Sequence, residues 1–124
     1  HMADLDYNQL MLNHLSRVFG EHDSARRLAA IGEIYTEDAT LYEPDAIATG
    51  HAAINDAVTA LLSSLPPGFA FTATGPAIGH HNLGRLRWQS GPAGGPAVVT
   101  GMDVAQFKDG QISALYVLLD PPSA

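Results

Sequence analysis

The proline pair Pro66–Pro67, followed at once by Gly68, splits the chain into two textures, and that split limits the folds open to it. Two adjacent prolines remove two backbone donors, so neither a helix nor an inner strand runs through them. Before the break, apolar residues recur at helical spacing. Leu5, Leu12, Leu15 and Phe19 predict a helix over residues 3–19 that Gly20 stops. Asp23 is an N-cap for a second helix, with Leu28, Ile31, Ile34 and Tyr35 turned inward and Arg26, Arg27 and Glu33 solvated. Glu37–Asp38 reads as a turn, and residues 39–43 as a short strand ended by Pro44. A third helix, residues 50–65, carries the stripe Ile54, Val58, Leu61, Leu62 and Leu65. After the break, residues 69–79, 83–90, 97–107 and 111–119 alternate or run apolar, with turns at His81-Asn82, Gly91–Pro96 and Asp109-Gly110. Helices gathered early and a late meander predict an α+β domain, with three N-terminal helices packed on one face of a curved, mostly antiparallel sheet.

The 124 residues suit one domain, expected over residues 3–124, with His1–Met2 read as an expression-vector remnant. The net charge of −7 argues against a nucleic-acid partner, because binding a phosphate backbone needs clustered cations. The absence of cysteine excludes thiol nucleophiles, disulfides and Cys-ligated zinc. No apolar run approaches the roughly 18 residues of a membrane span, and no basic leader precedes an apolar stretch, so a cytoplasmic protein is expected.

Strand parity identifies the candidate chemistry, since residues two apart share a face. Glu43 shares the face of Leu41 and Ala39. Asp103 shares that of Val99, Gly101, Ala105 and Phe107. Leu86 and Trp88 face opposite to Arg85, Arg87 and Gln89, and Phe69, Phe71 and Ala73 form one apolar side. Both carboxyls therefore fall on faces expected to be interior, where burial raises a carboxyl pKa and two in one cavity push each other apart. The expected outcome is one carboxylate base and one protonated donor. Gly101 and Ala105 are expected to leave space for a ligand. The same acids also have a structural reading, Glu43 as a solvated charge at a strand end and Asp103 as a cap or an arginine partner.

The histidines carry less. Neighbours on a strand point to opposite faces, so His80–His81 cannot hold one ion and reads as turn chemistry. His51 reads as a surface residue at a helix start. His14, on the first helix, can project between helices and sheet. No HExxH, glycine-rich phosphate loop or ordered Ser/His/Asp set is present, so no metal or organic cofactor is expected.

The element order, with YTEDATLYEP (Tyr35–Pro44), GHAAI (Gly50–Ile54) and GMDVAQFKDGQISAL (Gly101–Leu115), resembles the SnoaL-like members of the nuclear transport factor two-like superfamily, relatives of ketosteroid isomerases and polyketide cyclases. The resemblance implies a cone-shaped α+β fold. It puts Glu43, before Pro44, at the isomerase base position, with Glu for the family's Asp. It also puts Asp103, ahead of Phe107 and Gly110, at the position of the protonated acid. The first helix departs from the isomerases: Tyr7 comes too early for their oxyanion tyrosine and His14 stands near that place. Epoxide hydrolases of this group need an arginine where Gly101 stands. Polyketide cyclases pair an acid with a histidine, which Asp103 and His14 can supply. The resulting expectation is proton transfer α to a carbonyl of a small hydrophobic ligand by Glu43, Asp103 and His14, in a pocket walled by Trp88, Phe71, Leu86, Phe107 and Leu41. A homodimer through the sheet is also expected, with Arg85, Arg87 and Gln89 toward the second copy. The alternative is a non-catalytic ligand-binding or dimerisation domain of the same fold.

Overall fold

The computed structural model describes residues 4–122, so the reading of His1–Met2 lies outside the described residues. Asp6 opens α1 (Tyr7–His14) by accepting from the Gln9 N–H, as an N-cap should. The helix then widens into one π-helical turn, Leu15–Phe19, and stops at Gly20, where a Cβ would lie 2.7 Å from the Ser16 carbonyl oxygen. Such single π turns are often found at functional sites, and this one begins directly after His14.

Helix α2 (Ser24–Ile34) is capped by Asp23, but its buried face differs from the expected one. Arg27 is 1% exposed and Leu28 is on the surface. The Arg27 guanidinium donates to the Asn55 carbonyl, to Asn55 Oδ1, to Thr59 Oγ1 and to the Glu21 carbonyl, which supplies the partners a buried cation needs. It fastens α2 to α3 (His51–Ser64). Tyr35, read as the last inward residue of α2, is instead the first of β1 (Tyr35–Glu43), which absorbs Glu37–Asp38 through a shift in pairing register between Tyr35 and Thr40. His51 is half-buried rather than on the surface, its Nε2–H donating to the Thr36 carbonyl at 2.9 Å and the Tyr35 carbonyl at 3.2 Å.

Six further strands complete one sheet. They are β2 (Ala46–Thr49), β3 (Phe69–Ala73), β4 (Ile78–His80), β5 (Leu83–Pro92), β6 (Val99–Lys108) and β7 (Gln111–Leu119). The order is β2-β1-β7-β6-β5-β3, with β4 also on β5, and β1–β7 is the one parallel pair. The expected strand over 69–79 is two strands, and β2 lies in the stretch after Pro44 where the sequence pattern predicts no element. His81 and Asn82 both have positive φ, as the tight turn between β4 and β5 requires. Leu15, Phe19, Ile31, Ile54, Val58, Leu86 and Leu115 pack between the helices and the concave side of the sheet. No helix among the described residues is long and apolar enough to cross a membrane.

Candidate functional site

Pairing register brings the two acids into one row. Tyr42 pairs with Tyr116 in parallel, so Glu43, one step on, stands level with Val117. Val117 pairs with Asp103, and Asp103 with Leu86. The concave face thus carries Glu43, Val117, Asp103 and Leu86 in sequence, and the two acidic backbones are two strand spacings apart, about 10 Å. A cavity of about 390 Å³ opens over this row. Leu15, Phe19, Leu61 and Leu65 line it from the helices, and Phe71, Trp88, Ser90, Val99, Asp103, Val117 and Leu119 from the sheet. Glu43, Pro44 and Asp45 also border it.

At the Asp103 end, a polar chain is closed off from water. Asp103 is 2% exposed and His14 0%. His14 Nε2 lies 2.7 Å from Asp103 Oδ2, the Trp88 Nε1–H donates to Asp103 Oδ1 at 2.8 Å, and His14 Nδ1 lies 2.6 Å from the Tyr35 hydroxyl. The proton positions are assigned by satisfying every buried donor. The Tyr35 hydroxyl is buried and has His14 Nδ1 as its partner, so its proton belongs in that bond. His14 then carries its own proton on Nε2 and donates to Asp103, which accepts at both oxygens. Burial, and secondarily the Asp103 charge, hold the Tyr35 phenol well above its usual pKa of 10.0, which keeps that donor in place. The expectation was of a protonated Asp103 donating to a ligand; in the structure each of its oxygens lies within hydrogen-bond distance of a ring nitrogen of the protein, on Trp88 and on His14.

Glu43 has different surroundings. It is half-buried at the end of β1, and no hydrogen bond to its carboxyl is made among the described residues. Burial, and secondarily the like charge of Asp45, raise its pKa above the ordinary 4.5.

Of the expected wall residues, Trp88 and Phe71 border the cavity, with their rings edge-to-face at 5.5 Å. Leu41, Leu86 and Phe107 do not. Leu41 and Leu86 are fully buried in the core, and Phe107 packs edge-on against Tyr7 at 5.6 Å. Parity assigned each to the concave face correctly, but they lie toward the part of the cone that the helices fill. Gly101 leaves room for protein rather than ligand: a Cβ there would lie 2.6 Å from Trp88 Cζ2, so the bare glycine lets the indole lie flat and reach Asp103. Tyr35 and Ser90 were missed. Ser90 had a signal, since it shares the face of Trp88 and Leu86 on β5. Tyr35 had none while it was read as helical. No group of three or more possible metal ligands occurs among the described residues.

The comparisons with known proteins agree with this architecture. The SnoaL-like domain family matches residues 15–115. A structure from Agrobacterium tumefaciens, described provisionally as an isomerase of the SnoaL-like family, superposes with a TM-score of 0.85 at 25% identity, covering 93% of this chain and 97% of that one. A provisional polyketide cyclase from Sinorhizobium meliloti gives 0.67 at 18% identity, covering 88% and 93%. A provisional ketosteroid isomerase from Kribbella flavida gives 0.67 at 14% identity, covering 95% and 83%. No curated protein matches the chain. On a match that spans most of its length and a fold shared with these structures, the chain belongs to the family of SnoaL-like domains.

Proposed function

We propose that the protein is a cofactor-independent enzyme that moves a proton α to the carbonyl of a small, largely apolar compound, with Glu43 as the base. The observation that carries this reading is the contrast in hydrogen bonding within one cavity. Glu43 borders an apolar hollow with no donor holding its oxygens and with a raised proton affinity, whereas Asp103 has an N–H on each oxygen. A carboxylate relieved of hydrogen bonds and partly dehydrated is the stronger base, and its shifted pKa brings it nearer neutrality. Asp103 and His14 act as positioning residues in this scheme. Asp103 keeps lone pairs that accept from a ligand hydroxyl, so the ligand's carbonyl oxygen points away from it. Trp88 and Phe71 supply flat apolar wall and exclude water.

The test is exchange of α-protons in deuterated buffer, followed by NMR with 4-phenylcyclohexanone as the probe. Wild-type protein should accelerate exchange, and Glu43→Gln should abolish the acceleration. Binding of the ketone without exchange in either protein favours the second reading, a binding domain in which the Tyr35–His14–Asp103–Trp88 chain is a purely structural brace.

The outer face of the sheet supports a homodimer. Ile47 is 71% exposed, Tyr116 and Leu118 are also exposed, and Tyr116 stacks on Tyr42 with ring centroids 4.4 Å apart. Across β6, Arg85 and Arg87 continue the rows of Tyr116 and Leu118. An apolar stripe bounded by cations is suited to a second copy. Sedimentation should show a dimer at micromolar concentration that Leu118→Glu dissociates; a monomer throughout that range would remove this partner.

A further inference from the structure

The wall of the cavity holds one polar group that the scheme above does not use. Ser90 lies on the concave face of β5, opposite Phe71 on one side and Val99 on the other, and all three border the cavity. It is 3% exposed, and its hydroxyl is the one buried side-chain polar atom without a hydrogen-bond partner among the described residues. An unpaired buried hydroxyl costs stability, and alanine or valine would fill the place at no such cost. Along β6, Asp103 is four residues beyond Val99, which is about 13 Å of strand. The row between them is Trp88 and Gly101, and the Trp88 N–H is already spent on Asp103. Polar capacity therefore sits at two separated places, with only carbon and the indole face in between.

We infer that Ser90 is a ligand-binding residue that takes a second oxygen of the ligand, remote from the carbonyl beside Glu43. The ligand class is then an elongated, rigid, mostly hydrocarbon body with a neutral oxygen function toward each end. A hydroxyl both donates and accepts, so it suits a carbonyl or an alcohol. A charged group there would have no counter-ion among Phe71, Val99 and Trp88. The inference rests on the cavity being a ligand site, not on proton transfer taking place in it.

Two ketones that differ by one distal hydroxyl test it: 4-phenylcyclohexanone and 4-(4-hydroxyphenyl)cyclohexanone, titrated by calorimetry into wild type and Ser90→Ala. Wild type should prefer the hydroxylated ketone about tenfold, the ratio of one neutral hydrogen bond. Ser90→Ala should bring that ratio close to one, chiefly by weakening the binding of the hydroxylated ketone. Its thermal midpoint should be no lower than wild type, since an unpaired hydroxyl is removed, which shows that the variant folds. An equal preference in both proteins, no preference in wild type, or no heat from either ketone would overturn the inference. Glu43→Gln separates the two readings: lost exchange with the preference intact supports both, and exchange that persists in Glu43→Gln alongside a preference abolished by Ser90→Ala sinks the base alone.

Discussion

Glu43 and Asp103 stand level on one sheet and border one cavity, yet they live in opposite surroundings. Asp103 is enclosed, with an indole N–H on one oxygen and an imidazole on the other, and the imidazole is itself held by a phenol. Glu43 stands at the rim beside another acid, with nothing donating to it. The enclosed acid is the one whose removal should damage the fold, because it leaves buried donors without acceptors. The rim acid is the one whose removal should damage chemistry, because the fold asks nothing of it. Burial alone does not mark the reactive group; the hydrogen bonds already spent on it decide.

The contrast breaks if the two substitutions fail to separate. The largest effect expected is on rate: Glu43→Gln should lower α-proton exchange by about 10²- to 10⁴-fold, with a thermal midpoint close to wild type. A variant that exchanged protons normally, or that unfolded, would erase the distinction. Asp103→Ala should cost about 3 kcal/mol in urea unfolding, since His14 and Trp88 would keep buried N–H groups with no acceptor. A loss below about 1 kcal/mol would mean that the chain of hydrogen bonds is not the brace described. The smallest effect sharpens the rim side. Glu43 must lose its proton to act as a base, so exchange should rise with pH through a midpoint above 4.5. Asp45→Asn removes the lesser of the two causes of that elevation and should move the midpoint down. The stability effect has the opposite sign. A carboxyl whose folded pKa is raised binds more protons folded than unfolded, so its contribution to stability falls as pH rises from about 4.5 through the folded value, and is constant above it.

The α+β layout was legible because Pro66–Pro67 and the hairpin turns punctuate the chain strongly. Parity also put Asp103, Trp88 and Phe71 on the concave side. Parity gives a face but not a depth, which is why Leu41, Leu86 and Phe107 were expected in a pocket and lie in solid core. Depth along the cone depends on which rows the helices cover, a property of the whole packing. The hydrogen-bond chain around Asp103 was not legible for a related reason: His14 and Tyr35 are 89 and 68 residues away from it in the chain, and Tyr35 sits where a helical pattern runs directly into a strand. Arg27 shows the limit of charge as a guide, since Asn55 and Thr59 give a buried guanidinium all the acceptors it needs.

The last strand of the chain, β7, is inserted between β1 and β6 rather than added at an edge. Val117, which bridges the two acids, therefore emerges during synthesis only after both of the strands that carry them. A ribosome-bound chain still lacking β7 holds Glu43 and Asp103 on unconnected pieces of sheet, so it can neither close the hollow nor bind there. Ligand competence should therefore appear only once β7 has been made and has docked, which leaves a newly made copy with an open seam for as long as that strand takes to find its place.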